Sequence, residues 1–520
     1  MYTLFHTEFD LGESILPKRW IPNEYFTHRL DKDHVLLTTS YRAWIILNND
    51  EYMQLKQGRI ENNPFLFRVL ENLGIILTER NSHKISRMFC ERYLFLMTPP
   101  PLFIIVPTIR CNLACIYCGV QAICSDDTKK YDMDEEILRK AIDWLLGVPM
   151  VIGRKRFVLE FQGGECLLRF DLMEKIMDYA TEQAAKRGIS TYFKMVSNFT
   201  LMTDTIAENL KRRGNVGIAS SLDGPREVHN ANRRFAFTGQ GTYDVVTYWV
   251  RRLREKYQLQ VGLMPTCTIH LLGHGRELVD EYVNLGIRRI YLRPVNKIGR
   301  AVGIFDKIGL SADQFVELWK EVFEYCLELS KQQSKPVIEV HSTYLLMNLL
   351  EGRASYMCLR RPCGAGVSQI CIDHQGDIYA CDAARAIDML KLGNVTQDSY
   401  DAIFTSEKAR LLRTLCPEVL PDPDSFKPFS PYAAHCVARA INEHGSPVAL
   451  GPLSFNTQVY QKMIPYLFHK LMNRQDAQLL YRWVRCLVGP LAPAQPCESP
   501  SAEIQAPTSR SNSITELQPG

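Results

Sequence analysis

From about residue 100 to residue 335, short apolar runs alternate with stretches of helical period. Residues 102–106 (LFIIV) read as a buried strand. Residues 134–146 read as a helix with Asp134, Glu135 and Glu136 in its first turn, where the helix dipole favours acidic groups. Residues 157–161 (FVLEF) are strand-like, and 172–187 form a helical pattern ended by Gly188. Residues 192–196, 216–220, 259–268 and 289–294 continue the strands. Repeated strand–helix units predict an α/β fold, a parallel sheet with helices outside it. About six units are visible against the eight of a closed barrel, so a partial (β/α)6 TIM-like barrel is expected over 96–335.

The flanks read differently. Residues 1–95 hold VLLTT near Val35, AWIILNN near Ile45 and a helical pattern over 64–73, which together suggest a small α+β module. Residues 336–470 are rich in Cys, Gly and Pro with short strand signals, and helix returns from about Gln458. Residues 488–520 are mostly Pro, Ser, Gln and Thr, a composition expected to stay disordered.

Composition narrows the choice of partners and compartment. The 61 basic and 57 acidic residues leave a net charge of +4, which gives no electrostatic case for nucleic acid. The start, MYTLFHTEFDLGES, is acidic and lacks the apolar run of a secretory signal. The most apolar stretch, 93–106, is cut by Pro99, Pro100 and Pro101 and is too short to span a bilayer. A cytoplasmic protein without a membrane partner is the expectation. Sixteen cysteines in that compartment argue for metal or redox chemistry over disulfides.

CNLACIYC places Cys111, Cys115 and Cys118 directly after the first barrel strand. Three thiolates on a cubane cluster leave one iron open to a chelating cofactor. A zinc site or three unrelated buried thiols are the alternatives, although zinc usually takes paired Cys-x2-Cys knuckles. At these residues the chain resembles the radical S-adenosylmethionine superfamily, with Tyr117 as the aromatic before the third cysteine. The resemblance implies a [4Fe-4S] cluster that binds S-adenosylmethionine and cleaves it reductively to a 5′-deoxyadenosyl radical.

Further motifs follow in order at successive strand ends. FQGGECLL brings Gln162, Gly163, Gly164 and Glu165. The glycines permit a close backbone approach to a ligand, and Glu165 offers an acceptor for an ammonium group. Cys166 stands where the family has proline. SNF contributes Ser197 and Asn198 near the expected ribose, with Phe199 in place of a glycine. SSLDGPREVHNANRR supplies Ser221 and Arg233 as implied cofactor contacts, and the resemblance sets Leu292 beside the adenine.

The C-terminal CGAGVSQICIDHQGDIYACD resembles the opening of SPASM and twitch auxiliary-cluster domains, with Cys363 and Cys381 as implied ligands. The second half departs from that pattern by keeping one cysteine, so one auxiliary cluster at most is expected. Cys358 or Cys371, and Cys416 or Cys436, are open as its completion, and buried thiols without metal are the alternative. Asp382 matches the proposed base of sulfatase maturases, while a turn role is equally open. Cys90, Cys267 and Cys326 sit in apolar patterns and are expected in the core.

The features FIIVPTIRCNLACIYC, YDM, EFQGGECLL, SSLDGP, YACDAAR and YLFHKL are similar to those of the radical maturases of His-Xaa-Ser peptide systems. That resemblance implies a peptide or protein substrate, an electron donor such as flavodoxin or ferredoxin, and an N-terminal module that captures peptide along a sheet edge. Formylglycine formation of the anaerobic sulfatase-maturase kind, and a non-catalytic paralogue that binds a peptide or partner, are the rival readings.

Overall fold

The computed structural model describes residues 17, 19–93, 102–120, 122–147, 156–351, 357–359, 363–366, 369–414, 424–433, 436–446 and 454–488. The expected tail and Cys416 lie outside these residues. The N-terminal segment forms an antiparallel sheet of β1 (Phe26–Arg29), β2 (His34–Thr38) and β3 (Trp44–Asn48), with β2 central. Helices α1 (Asn49–Lys56), α2 (Pro64–Leu73) and α3 (Ser82–Tyr93) follow. Helix α2 starts where Asn63 caps Leu66 N and Pro64 fills the first turn, and it stops at Gly74 in the left-handed conformation. Val35, Leu37, Ile45 and Leu47 pack with Leu66, Phe67, Val69 and Leu70 into a core of their own. The sequence pattern did not reveal α3, which buries only Ile85; Cys90 is exposed on its outer face, contrary to the expected core position.

The barrel strands are β4 (Leu102–Ile105), β5 (Arg156–Phe161), β6 (Ser190–Val196), β7 (Val216–Ser221) and β8 (Val261–Met264), all parallel in that order. Short pairs then close the arc: Thr266–Cys267 on Arg293–Pro294, and Arg289–Ile290 on Ile338–Glu339. The long strand expected over 259–268 is thus broken at Pro265, which has no N–H for a ladder. Amphipathic helices cover the outside. One is α4 (Glu135–Gly147), whose Leu138, Ala141, Ile142 and Leu145 face the sheet; another is α5 (Phe170–Ala185). Cys267 and Cys326 are buried as expected.

The largest departure from the sequence pattern lies at the barrel's open edge. A hairpin of β9 (Gln369–Ile372) and β10 (Asp377–Tyr379), followed by β11 (Lys391–Asn394), extends the same sheet. Strand β9 runs parallel to β4, with Cys371 opposite Ile104, so one eight-stranded sheet joins the barrel to the C-terminal segment. Residues 340–351, in a region read as carrying short strand signals, are helical. The N-terminal sheet is bound to this body by buried hydrogen bonds: Thr38 Oγ1 donates to Pro428 O (2.9 Å), Arg42 Nε to Pro431 O (2.8 Å) and Trp44 Nε1 to Leu349 O (2.6 Å). No helix among the described residues is long and apolar enough to cross a membrane.

Candidate active site

The loop after β4 is held from both sides by its backbone. Cys111 N donates to Ile123 O (2.9 Å), Ala114 N to Arg234 O (2.9 Å) and Ile116 N to Asn232 O (3.1 Å). Beneath it, Arg110 makes a two-pronged ion pair with Asp132 (2.7 Å at each contact), the Asp of the YDM motif, and Thr108 Oγ1 donates to the same carboxylate. These ties fix the three cysteines around a cavity of ≈ 290 Å³. Burial pushes the Cys111 thiol well up and Cys115 up to about 11, the latter against the pull of Arg233. Such thiols keep their protons until a metal displaces them. Among the described residues, no three His, Cys, Asp or Glu side chains are placed to hold a single metal ion.

The Gly-Gly turn does something the sequence did not reveal. Gly164 N donates to Thr108 O (3.0 Å) and Glu165 N to Arg110 O (2.7 Å), and a Cβ on either glycine would collide with the carbonyl of Thr108 or Arg110. The glycines therefore seat the turn on the cysteine loop's own backbone. Glu165, 1% exposed, accepts from Ser197 Oγ (2.7 Å), Leu167 N (3.0 Å) and Asn198 N (2.7 Å). Burial raises its pKa, and an incoming ammonium group would offset that cost. Asn198 Nδ2 lies 3.9 Å from Cys111 Sγ. Cys166 is buried and donates to Val196 O (3.3 Å), a packing role. Phe199, which stands in place of the family's glycine, has a left-handed backbone (φ 62°).

Asp223, in SLDGP, is a residue whose role the motif alone did not reveal. Fully buried, it accepts from Tyr117 OH (2.5 Å), Asn232 Nδ2 (3.2 Å), Arg233 Nε (3.1 Å) and Thr266 N (3.0 Å). Arg233 also lies over the Tyr117 ring, 5.1 Å from its centroid, with Nη1 4.0 Å from Cys115 Sγ. Burial works against the Arg233 charge, but Asp223, Tyr117 and Cys115 outweigh it and raise its pKa.

Gln162, Gly163, Gly164, Glu165, Ser197, Asn198, Ser221, Arg233 and Tyr117 all line the cavity with the three cysteines. Leu292 does not: it is 1% exposed in the main core, and Arg293 to Asn296 reach the cavity from that strand end. Asp382, Ala383 and Arg385 line the same cavity.

Four more thiols stand near Asp382. Cys358, Cys363, Cys381 and Cys436 lie near enough that Cys381 is raised, after burial and Asp382, by each of the other three. Burial also raises Cys363 to about 11 and raises Cys436, whereas Cys358 is exposed. Cys371 is pushed up to about 12 by burial. The charges around it are Arg385, Asp382, Asp373 and Glu160, so it stands apart from the four.

A family model described as the radical SAM superfamily matches residues 105–292, and one described as an iron–sulfur cluster-binding domain, SPASM, matches 363–428. Residues 105–292 thus match the radical S-adenosylmethionine domain, and 363–428 its SPASM companion. A cysteine-type anaerobic sulfatase-maturating enzyme of Clostridium perfringens is 23% identical over 380 residues, covering 72% of this chain and 98% of the relative. The mycofactocin maturase MftC of Mycobacterium tuberculosis is 26% identical over 295 residues, 56% of this chain and 66% of its own. The structure of native anSMEcpe with bound AdoMet shares the fold, at 20% identity with TM-score 0.62, covering 73% of this chain and all of the other. As a radical S-adenosylmethionine enzyme the chain uses a [4Fe-4S] cluster and S-adenosylmethionine. A donor set of three thiols beside a carboxylate, on one cavity, fits that pair.

Proposed function

We propose that this enzyme modifies a peptide or protein, with the cavity between Cys111, Cys115, Cys118 and Asp382 as its reaction chamber. The observation that carries this reading is the convergence of the three thiols, Glu165, Ser197, Asn198, Ser221 and Arg233 on one cavity that Asp382, Ala383 and Arg385, just after the C-terminal hairpin, also line. Cys111, Cys115 and Cys118 would hold the cluster, which would supply the electron for reductive cleavage of S-adenosylmethionine. Glu165 holds the cofactor's ammonium group, and the Asp223–Arg233–Tyr117 group shapes the opposite side. Asp382 faces the substrate as a candidate acceptor of its proton.

Cys358, Cys363, Cys381 and Cys436 are proposed as the ligands of one auxiliary iron–sulfur cluster, with Cys371 as a core residue. The N-terminal sheet, with β1 at its edge, is proposed to receive the substrate as an added strand. Support for a peptide comes from the maturases among the relatives and from the fold neighbour, which is known with AdoMet and a bound peptide. The proposed units are residues 1–95, 96–335 and 336–470, and flavodoxin or ferredoxin is the proposed electron donor. Anaerobically reconstituted enzyme is expected to form 5′-deoxyadenosine under dithionite, and Cys115→Ala to form none. Reconstituted enzyme with iron but without 5′-deoxyadenosine would point to the peptide-binding paralogue instead.

A further inference from the structure

The cysteine loop has an outer side that does not belong to the cavity. Ala114, the neighbour of Cys115, is exposed yet does not line the cavity. Its N–H donates to Arg234 O and that of Ile116 to Asn232 O, at the end of the helix Arg226–Asn232. Ala236 N in turn donates to Asn112 O (3.0 Å). From another side Arg300 N donates to Cys118 O (3.0 Å), within the short turn Gly299–Ile304 that leads into the helix Phe305–Ile308. The turn Ile269–Leu271 touches both of these helices. Ile116 and Tyr117 share an apolar cluster with Ala301, Ile304 and Phe305. Adjacent Cα atoms stand about 3.8 Å apart, so Cys115 is one residue from solvent on this side.

The segments that hold the loop combine exposed apolar groups with positive charge. Each carries one large exposed apolar side chain: Phe237 is 82% exposed, Val302 50% and Ile269 39%. Residues 111–124 contain no charged side chain. Around them Arg234, Lys297, Arg300 and Lys307 stand against two acids, Glu227 and Asp306. None of the four cations has an ion-pair partner among the described residues. Arg234 and Arg300 donate to carbonyls of Gly239 and Ala122, and Lys297 lies over the Phe305 ring. The other two arginines on these segments, Arg226 and Arg233, are paired with Asp244 and Asp223. Residues 126–130, which follow the loop, are balanced, with Asp126 and Asp127 against Lys129 and Lys130.

We infer that this outer side is the docking surface for the electron donor, a small acidic redox protein of the flavodoxin or ferredoxin kind. The inference rests on the donor proposed above and gives it a place. Unpaired cations around exposed apolar groups suit a partner whose own surface is acidic, since complementary charge steers encounter. A small patch also suits a partner that must leave after each transfer, because redox encounters are at the weak, small end of interfaces. One electron leaves the reduced flavin or iron–sulfur centre of the donor, which is thereby oxidised, and enters the cluster that the three cysteines would hold.

The test compares two reductants on reconstituted holoenzyme with S-adenosylmethionine under anaerobic conditions. Formation of 5′-deoxyadenosine is driven either by dithionite, which needs no docking, or by reduced flavodoxin and, separately, reduced ferredoxin. Phe237→Ser and Lys307→Glu together should lower kcat/KM for the protein donor about tenfold, through KM, and leave the dithionite rate unchanged. Calorimetric titration of the oxidised holoenzyme with oxidised flavodoxin or ferredoxin should show a matching loss of affinity, and wild-type binding should weaken with added salt. Lys211→Glu, the same charge change on the helix Asp204–Arg213, should alter none of these. A double variant that keeps the donor-driven rate, loses the dithionite rate equally, or is matched by Lys211→Glu overturns the inference. In those cases the surface falls while the donor stands. Wild-type enzyme that turns over with dithionite but with neither protein removes the donor and the surface together.

Discussion

Substituting Asp223 by Asn should be among the most damaging single-atom changes in the chain. The carboxylate is fully buried and takes four hydrogen bonds, and Arg233, its ion-pair partner, is 11% exposed. Asn keeps the shape but removes the charge and turns one acceptor into a donor facing Thr266 N–H or the Tyr117 and Arg233 donors. Breaking a buried pair from one side costs about 3–5 kcal/mol, because the remaining charge has no compensation. Removing both charges costs less than the two single changes together. A double-mutant cycle of Asp223→Asn and Arg233→Gln, read by urea unfolding of the metal-free protein, should therefore give a coupling of about 1.5 kcal/mol or more. Because Tyr117 and Arg233 border the cavity, Asp223→Asn should also weaken S-adenosylmethionine binding in reconstituted enzyme. A single-mutant cost under about 1 kcal/mol, or strict additivity in the cycle, would refute the argument that this aspartate is the electrostatic centre of the site.

Other outcomes follow from the same geometry. Reconstituted enzyme should hold about eight irons per chain, Cys436→Ala about four, and Cys371→Ala still about eight; equal loss in both variants would remove the four-thiol assignment. His229, fully buried, accepts from Asp223 N (3.2 Å) and is within 2.9 Å of Thr242 Oγ1; burial, opposed by Asp223, lowers its pKa to about 4. The folded state thus binds fewer protons than the unfolded one, so stability is intact above pH 6.5 and falls as pH drops towards 4, by at most about 3 kcal/mol from this group. His229→Gln should flatten that part of the pH–stability curve, and an unchanged curve would refute the assignment. Gly164→Ala should disrupt cluster binding, because the added methyl meets backbone rather than a movable side chain; iron content of the reconstituted variant reads this directly.

Much of the fold was legible because its strands are short apolar runs and its helices carry clear stripes, as over Glu135–Gly147. The cavity residues were legible because each motif ends a parallel strand, where such sheets gather their ligands. Interactions between distant segments were not. Asp223 stood in a quoted motif, yet its role depends on Tyr117, Asn232, Arg233 and Thr266, which only the fold brings together. Leu292 was misplaced because the strand at 289–294 is split in two, so that its side chain enters the core. Phe199 shows a local rule overridden: a bulky residue in the left-handed region costs about 1–2 kcal/mol, less than the roughly 3–5 kcal/mol typical of losing a buried aromatic side chain. Its ring is fully buried, so packing outweighs the backbone preference that glycine would satisfy.

The pairing of β9 with β4 explains why both walls of the cavity stay in fixed relation. Strand β4 leads into Cys111 six residues after Ile105, and the neighbouring hairpin returns through Tyr379 to Cys381 and Asp382. Four residue pairs, Gln369 with Leu102 through Ile372 with Ile105, set that distance by backbone hydrogen bonding and not by a flexible linker. A slip of one residue would send Cys371 and its neighbours Ile370 and Ile372 to exchanged faces, both of which are buried, a repacking that the core resists. The segment that carries Cys381 and Asp382 is therefore tied through the sheet to the strand that leads into Cys111, the condition under which groups from both segments keep a fixed mutual geometry.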